Sequence, residues 1–181
     1  MRISLHREPA GAVDIARHYI RDVIYGANDG IITTFAVVAG VTGGGLSPGA
    51  VLIVGAANLL ADGLSMGVGN YLGIRSNESA RAAQGLPEEE ASPARHGLAT
   101  MLAFAAAGAL PLMPHALGAP AAWRFGASVM LTFSALFVVG ALRAVVTVDR
   151  WWSAGLEMLL LGVLVAATAY GSGALVAALV G

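Results

Sequence analysis

The sequence contains no cysteine, which excludes disulfides, zinc–thiolate centres and thiol catalysis and leaves the redox compartment unreadable. Lysine is missing too: all ten basic residues are arginine, a choice with no evident physical reason. Charge as a whole is scarce, at 12% of residues against 57% hydrophobic ones, and the mean hydropathy is +0.74. A soluble globular domain carries about 25% charged residues, so this composition belongs to an integral membrane protein. A net charge of −1 offers no basis for a nucleic-acid partner, and none is expected. No cleavable signal is expected either, because Met1 to Arg21 holds Arg2, Arg7, Arg17 and Arg21 with no apolar core between them. Residues 1–21 read as a polar, amphipathic segment, with Ile15, Tyr19 and Ile20 facing lipid, or as a partly ordered tail.

What is present is a set of five apolar stretches, at about 22–42, 50–75, 97–113, 123–142 and 153–180. A helix crosses a bilayer with roughly 20 such residues, so the expected fold is all-α: a single five-helix transmembrane domain over 22–181, with one short polar loop at 76–95. Ser47 is placed to cap the second helix, with Pro48 at its first position. The third span is stopped by Pro111 and Pro114, and Trp151-Trp152 marks an interfacial anchor for the fifth. With the N-terminus in the cytoplasm, every arginine except Arg124 falls on the cytoplasmic side, the asymmetry that the positive-inside rule demands. The acids then run inward, from Glu88-Glu89-Glu90, Asp22 and Glu157 near the cytoplasmic face to Asp29 and Asp62 at depth.

Acids at membrane depth need a reason, since a carboxylate there costs roughly 2.5–3.5 kcal/mol on insertion scales. Asn58, Asp62 and Met66 recur at intervals of four, so a helix lines them up as a stripe of two oxygen donors and a thioether. Asp29 lies in the polar half of the first span, beside Gly30. Hard oxygens with one soft sulfur favour Fe2+ or Mn2+ over magnesium or calcium. Each residue also has a plainer reading: Met66 as a gap filler, Asn58 and Asp62 as interhelical hydrogen-bonders, Asp29 as the brace of a kink, Glu157 as a partner of Arg143 or Arg150. Burial raises a carboxylate pKa and a divalent cation lowers it, so exchange of metal for protons follows from the same residues. Gly26/Gly30, Gly63/Gly67 and Gly69/Gly73 allow close helix approach, and a homodimer would double the ligand set around a shared axis. Enzymatic readings fail for want of a base. Ser65 needs a histidine, and His6, His18, His96 and His115 read as tail or loop residues.

Arg21-Asp22, Tyr25-Gly26-Ala27-Asn28-Asp29-Gly30, Thr34 to Gly40, Asp62-Gly63-Leu64-Ser65-Met66-Gly67 and Asn70-Tyr71-Leu72 resemble the first two helices of the vacuolar iron transporter family. The resemblance is specific over about residues 20–76 and looser beyond. It implies five membrane helices, a homodimer, a cytosolic N-terminus, and export of ferrous iron or a related divalent metal in exchange for protons, with no permanent cofactor. It also implies that Asp29 and Met66 supply the acid and thioether of the translocation path. Two departures stand out. Plant-type members carry a glutamate-rich metal-binding domain where this chain has only Ser76 to Arg95, which leaves Glu78, Glu88, Glu89 and Glu90 for cytoplasmic capture; and Asn58 stands where those members place a glutamate. The expected protein is therefore a metal/proton antiporter of a bacterial-type inner membrane. Asp29, Asp62, Met66 and Asn58 would hold the ion, and Glu157 and Asp22 would serve the entrance or the proton. A channel without proton coupling and a structural scaffold are the alternatives.

Overall fold

The computed structural model describes residues 4–6, 9–145 and 147–180. It contains five helical spans long and apolar enough to cross a membrane. They are α1 (Ala12–Gly43), α2 (Pro48–Ala83), a broken third span in which α3 (Pro93–Gly108) passes through a 3-10 turn (Leu110–Leu112) into α4 (Met113–Ala116), then α5 (Ala121–Arg143) and α6 (Trp151–Val180). Ser47 caps α2 as expected, its hydroxyl accepting from the Ala50 N–H at 3.2 Å, with Pro48 just inside. Gly45, at φ 69°, makes the turn before it, a conformation open to glycine at no steric cost.

Two helices are longer than the hydropathy suggested. α1 takes in residues 12–21 and stays helical through Gly26 and Gly30. α2 runs past Arg75 to Ala83, carried by strong helix formers in Ala80-Arg81-Ala82-Ala83. The polar loop is correspondingly short, and it folds back: Leu5 N–H donates to the Glu88 carbonyl at 2.7 Å, and Ser4 bridges to Glu88.

α1 is the central helix and touches all four other spans, whereas α2 packs chiefly on α3 and α1. Glycines decide how closely. A Cβ on Gly26 or Gly30 would run into the carbonyls of Thr100 and Phe104 on α3, and one on Gly67 would lie 2.8 Å from the Gly97 carbonyl. In lipid, where apolar burial drives no association between helices, such close backbone approach supplies the dispersion contacts that hold the bundle. Phe104 is fully buried at this junction, against Gly63 on α2. Beyond it, Phe35, Val38, Ala39, Val51 and Leu112 form one core cluster, and Ile31, Leu136 and Met158 a second. Gly69 and Gly73 behave differently: nothing lies within 4 Å of a Cβ at either, and both border the cavity described next.

Candidate functional site

A cavity of about 710 Å³ opens between α1, α2, the first turn of α3 and the loop at 84–92. Its wall includes His18, Asp22, Met66, Asn70, Glu90 and His96. Asp22 is 3% exposed, and both of its oxygens are used. Oδ1 accepts from Asn70 Nδ2 at 2.7 Å, and Oδ2 faces His96 Nδ1 at 2.5 Å. Asn70 Nδ2 also donates to Thr100 Oγ1 at 2.8 Å, and that hydroxyl donates to the His96 carbonyl at 3.0 Å. Each proton in this chain is thereby assigned. Thr100 spends its hydrogen on the carbonyl, so it must accept from Asn70; the Asn70 amide must then present N–H to Asp22, and Asp22 draws the His96 proton to Nδ1. Fully satisfied buried networks of this kind fix one geometry, because any flip leaves a buried polar group unpaired. The glycine seams bring α3 close enough for the network to close.

The predicted metal stripe lies deeper. Asn58, Asp62 and Met66 all lie half-buried on α2, and Met66 forms part of the cavity wall. Asp29 is half-buried on α1, near enough to Asp62 for the two charges to act on each other. Asn58 Nδ2, Asn28 Oδ1 and Thr34 Oγ1 are buried with no hydrogen-bond partner. Buried polar groups are normally paired, but these three do not form one site: Asn28 borders a different cavity, with Glu157 and Met158, and Thr34 is fully buried.

The remaining acids divide by partner. Glu78 Oε1 accepts the backbone N–H groups of Glu89 and Glu90, both at 3.1 Å, and so holds the loop in place. Glu89 pairs with Arg81 at 2.9 Å, while Glu88 gives its carbonyl to Leu5. Glu90 turns toward imidazoles: Oε2 lies 2.9 Å from His96 Nε2 and 3.3 Å from His18 Nε2, and Oε1 lies 3.3 Å from His6 Nδ1. Burial alone would raise its pKa, but the Ser92 N–H and the close approach and charge of His96 and His6 outweigh it and hold the carboxyl below the usual glutamate range. Glu157 accepts from Arg143 at 2.7 Å and borders a separate cavity of about 450 Å³ beside Arg21 and Asn28, so it does not join the Asp22 group.

The histidines correct the sequence reading. His18 is within α1, His96 is buried in the first turn of α3 and His115 is in α4, so none of these three belongs to a tail or loop. The available signal was Pro93 at the head of the third span, which starts that helix before His96. Nothing local pointed to the meeting of residues 6, 18, 90 and 96, which depends on how α3 and the loop dock. Asn70 stood out in the sequence, but its partner Thr100 did not.

Sequence comparison adds an independent line. The profile of the VIT family matches residues 20–86 and 77–174. The vacuolar iron transporter of Toxoplasma gondii is 39% identical over 92 residues, 48% of this chain but only 30% of that protein's own length. Vacuolar iron transporter homolog 1 of Oryza sativa is 30% identical over 166 residues, covering 84% of this chain and 72% of the relative. Vacuolar iron transporter 1 of Eucalyptus grandis is 25% identical over 213 residues, 86% of each chain.

Proposed function

From the premise that this chain belongs to the VIT family, we propose that it carries a divalent metal ion, ferrous iron foremost and manganese second, across the membrane along α1 and α2. What supports the proposal is a pair of half-buried acids, Asp29 and Asp62, on two apolar spans and near enough for their charges to interact, with Met66 one turn from Asp62 and lining a polar cavity. Two carboxylates set against each other in a low-dielectric region repel, and a dication between them removes the repulsion. Met66 adds a soft donor that disfavours magnesium and calcium. Asn58, one turn beyond Asp62, completes the set with its side-chain oxygen.

The cavity is the waiting room on the cytoplasmic side, an orientation supported by the arginine distribution. Asp22 and its network form the cavity's rigid wall, and Glu157, tied to Arg143 on another side of α1, is left out of the path. Because an arriving dication displaces protons from paired acids, inward proton flow drives metal outward. A second copy of the chain closes the path: only about a fifth of the apolar window of α2 is buried, and a stripe holding Asp62 cannot face lipid tails. The working unit is therefore a homodimer that joins the α1–α2 faces about a two-fold axis.

The test is flux of Fe2+ and Mn2+ into liposomes carrying the purified protein, with and without an imposed pH gradient. Flux that follows the gradient and is lost in Asp29→Ala and Met66→Ala supports the antiporter. Flux indifferent to the gradient makes the protein a channel, and no flux of either metal removes transport altogether.

A further inference from the structure

The residues around Glu90 carry an inference that the metal stripe does not. Nε2 of His18, Nε2 of His96 and the Glu90 carboxylate lie within 4.8 Å of one another at the cavity wall. They come from three separate segments: the start of α1, the folded-back loop and the first turn of α3. The contacts among them are incomplete in an informative way. His96 is 7% exposed and its Nε2 lies 2.9 Å from Glu90 Oε2, yet neither that nitrogen nor His18 Nε2 makes a hydrogen bond. The carboxylate oxygen therefore sits beside the nitrogens rather than along the direction in which a ring N–H would point. For His96 the Asp22 contact engages Nδ1 and leaves Nε2 as the ring atom turned to the shared space. Asp22 takes the proton on Nδ1, so in the neutral ring Nε2 carries a lone pair, aimed into a buried space shared with a carboxylate. A second ring proton or a metal ion at Nε2 balances the Glu90 carboxylate beside it.

We infer that His18, His96 and Glu90 form a divalent-metal site at the mouth of the cavity, with His6 beside it and Asp22 as the positioning residue of His96. A carboxylate on the far nitrogen of a ligating histidine fixes its tautomer and raises its basicity, the arrangement usual at such sites. Two histidines and one carboxylate with open positions suit ferrous iron in particular, whereas imidazole nitrogen is a poor ligand for magnesium or calcium. Metal–nitrogen bonds of about 2.1 Å require the ligand atoms to draw in modestly, which rotation of the half-buried His18 and Glu90 side chains allows. Tyr19 packs its ring against both imidazoles, at 4.7 Å and 4.8 Å between centroids, and holds them at the wall. The site stands in for a capture domain by using histidine where an acidic loop alone would bind metals less selectively. Its role as an entrance rests on the transport reading above; its occupancy by metal does not.

The experiment uses the full-length protein, purified in detergent and stripped of metal, titrated with Mn2+ alone. Electron spin-echo spectroscopy of bound Mn2+ in the wild type should show nitrogen modulation from imidazole, a readout that depends on no variant. His18→Ala and Glu90→Gln should each weaken binding at least tenfold, and millimolar Mg2+ should not displace the ion. Bound Mn2+ without nitrogen coupling, equal binding by both variants, or no binding to the wild type would overturn the site. Liposome flux separates this outcome from the transport reading. An entrance site predicts that His18→Ala raises the metal concentration for half-maximal flux while leaving flux at saturation intact. Nitrogen-coupled Mn2+ in a protein that moves no metal would keep the site and remove transport, and flux without such coupling would do the reverse.

Discussion

Replacing Asp22 by asparagine changes almost no volume and tests the proton assignment directly. Asp22 offers an acceptor to both Asn70 and His96. Asparagine can offer one acceptor and must present N–H₂ to the other partner. Thr100 decides which: its hydroxyl donates to the His96 carbonyl and so must keep accepting from Asn70. The new amide therefore turns its oxygen to Asn70 and its nitrogen to His96, where Nδ1 has to become the acceptor. The imidazole proton moves to Nε2, the nitrogen needed for metal. Loss of a carboxylate behind a ligating histidine typically weakens metal binding 10–100-fold, about 1.4–2.8 kcal/mol. The fold should lose about 1–2 kcal/mol, since two charge-assisted hydrogen bonds become neutral ones. Mn2+ titration gives the first figure and unfolding in a denaturing detergent the second, while nitrogen-15 spectra of labelled histidine report the tautomer. Affinity within threefold of wild type, with the proton still on Nδ1, would refute the reasoning.

Other outcomes follow from the packing and the ion pairs. Gly67→Val drives a side chain into the Gly97 carbonyl and Met101 and should destabilise the bundle by about 1–3 kcal/mol. Gly69→Ala, which meets nothing within 4 Å, should stay within about 0.5 kcal/mol; unfolding of the two side by side checks both. Arg143→Ala frees an exposed Glu157 and should change stability by no more than about 1 kcal/mol and leave metal flux unaltered, so a transport defect would return Glu157 to the path. Glu90 has a lowered folded pKa, so its contribution to loop docking is complete above the ordinary glutamate value and is lost only as pH falls through the lowered one. Limited proteolysis of the metal-free protein should accordingly find the loop at 84–92 protected in mild acid and cut only in stronger acid, and cutting that begins near neutrality would contradict it.

The spans and the deep stripe were legible because both depend on local spacing. Twenty apolar residues read as a crossing wherever they fall, and Asn58, Asp62 and Met66 share a face by helical geometry alone. The cap at Ser47 was legible for the same reason. Helix ends were harder, since residues 12–21 and 76–83 are too polar for hydropathy and yet helical, held by propensity and by contacts outside the apolar window. His96 was misread because its setting is tertiary. It is buried by the approach of α3 to α1 and partnered by Asp22, 74 residues earlier in the chain. The glycines that permit that approach were visible as small pairs, but spacing does not say which helix each will face. Gly67 meets α3, while Gly69, two residues on, borders open space.

The position of α3 also sets an order of events during synthesis. The seams of Gly26, Gly30 and Gly67 with Thr100, Phe104 and Gly97, and every histidine and carboxylate around Glu90, lie before Gly108. Once α3 has been made, the chain holds every residue that lines the cavity mouth, and α5 and α6 are still to follow. The half of the chain that carries the proposed metal ligands is thus complete in sequence before the helices that pack on the other side of α1 are made.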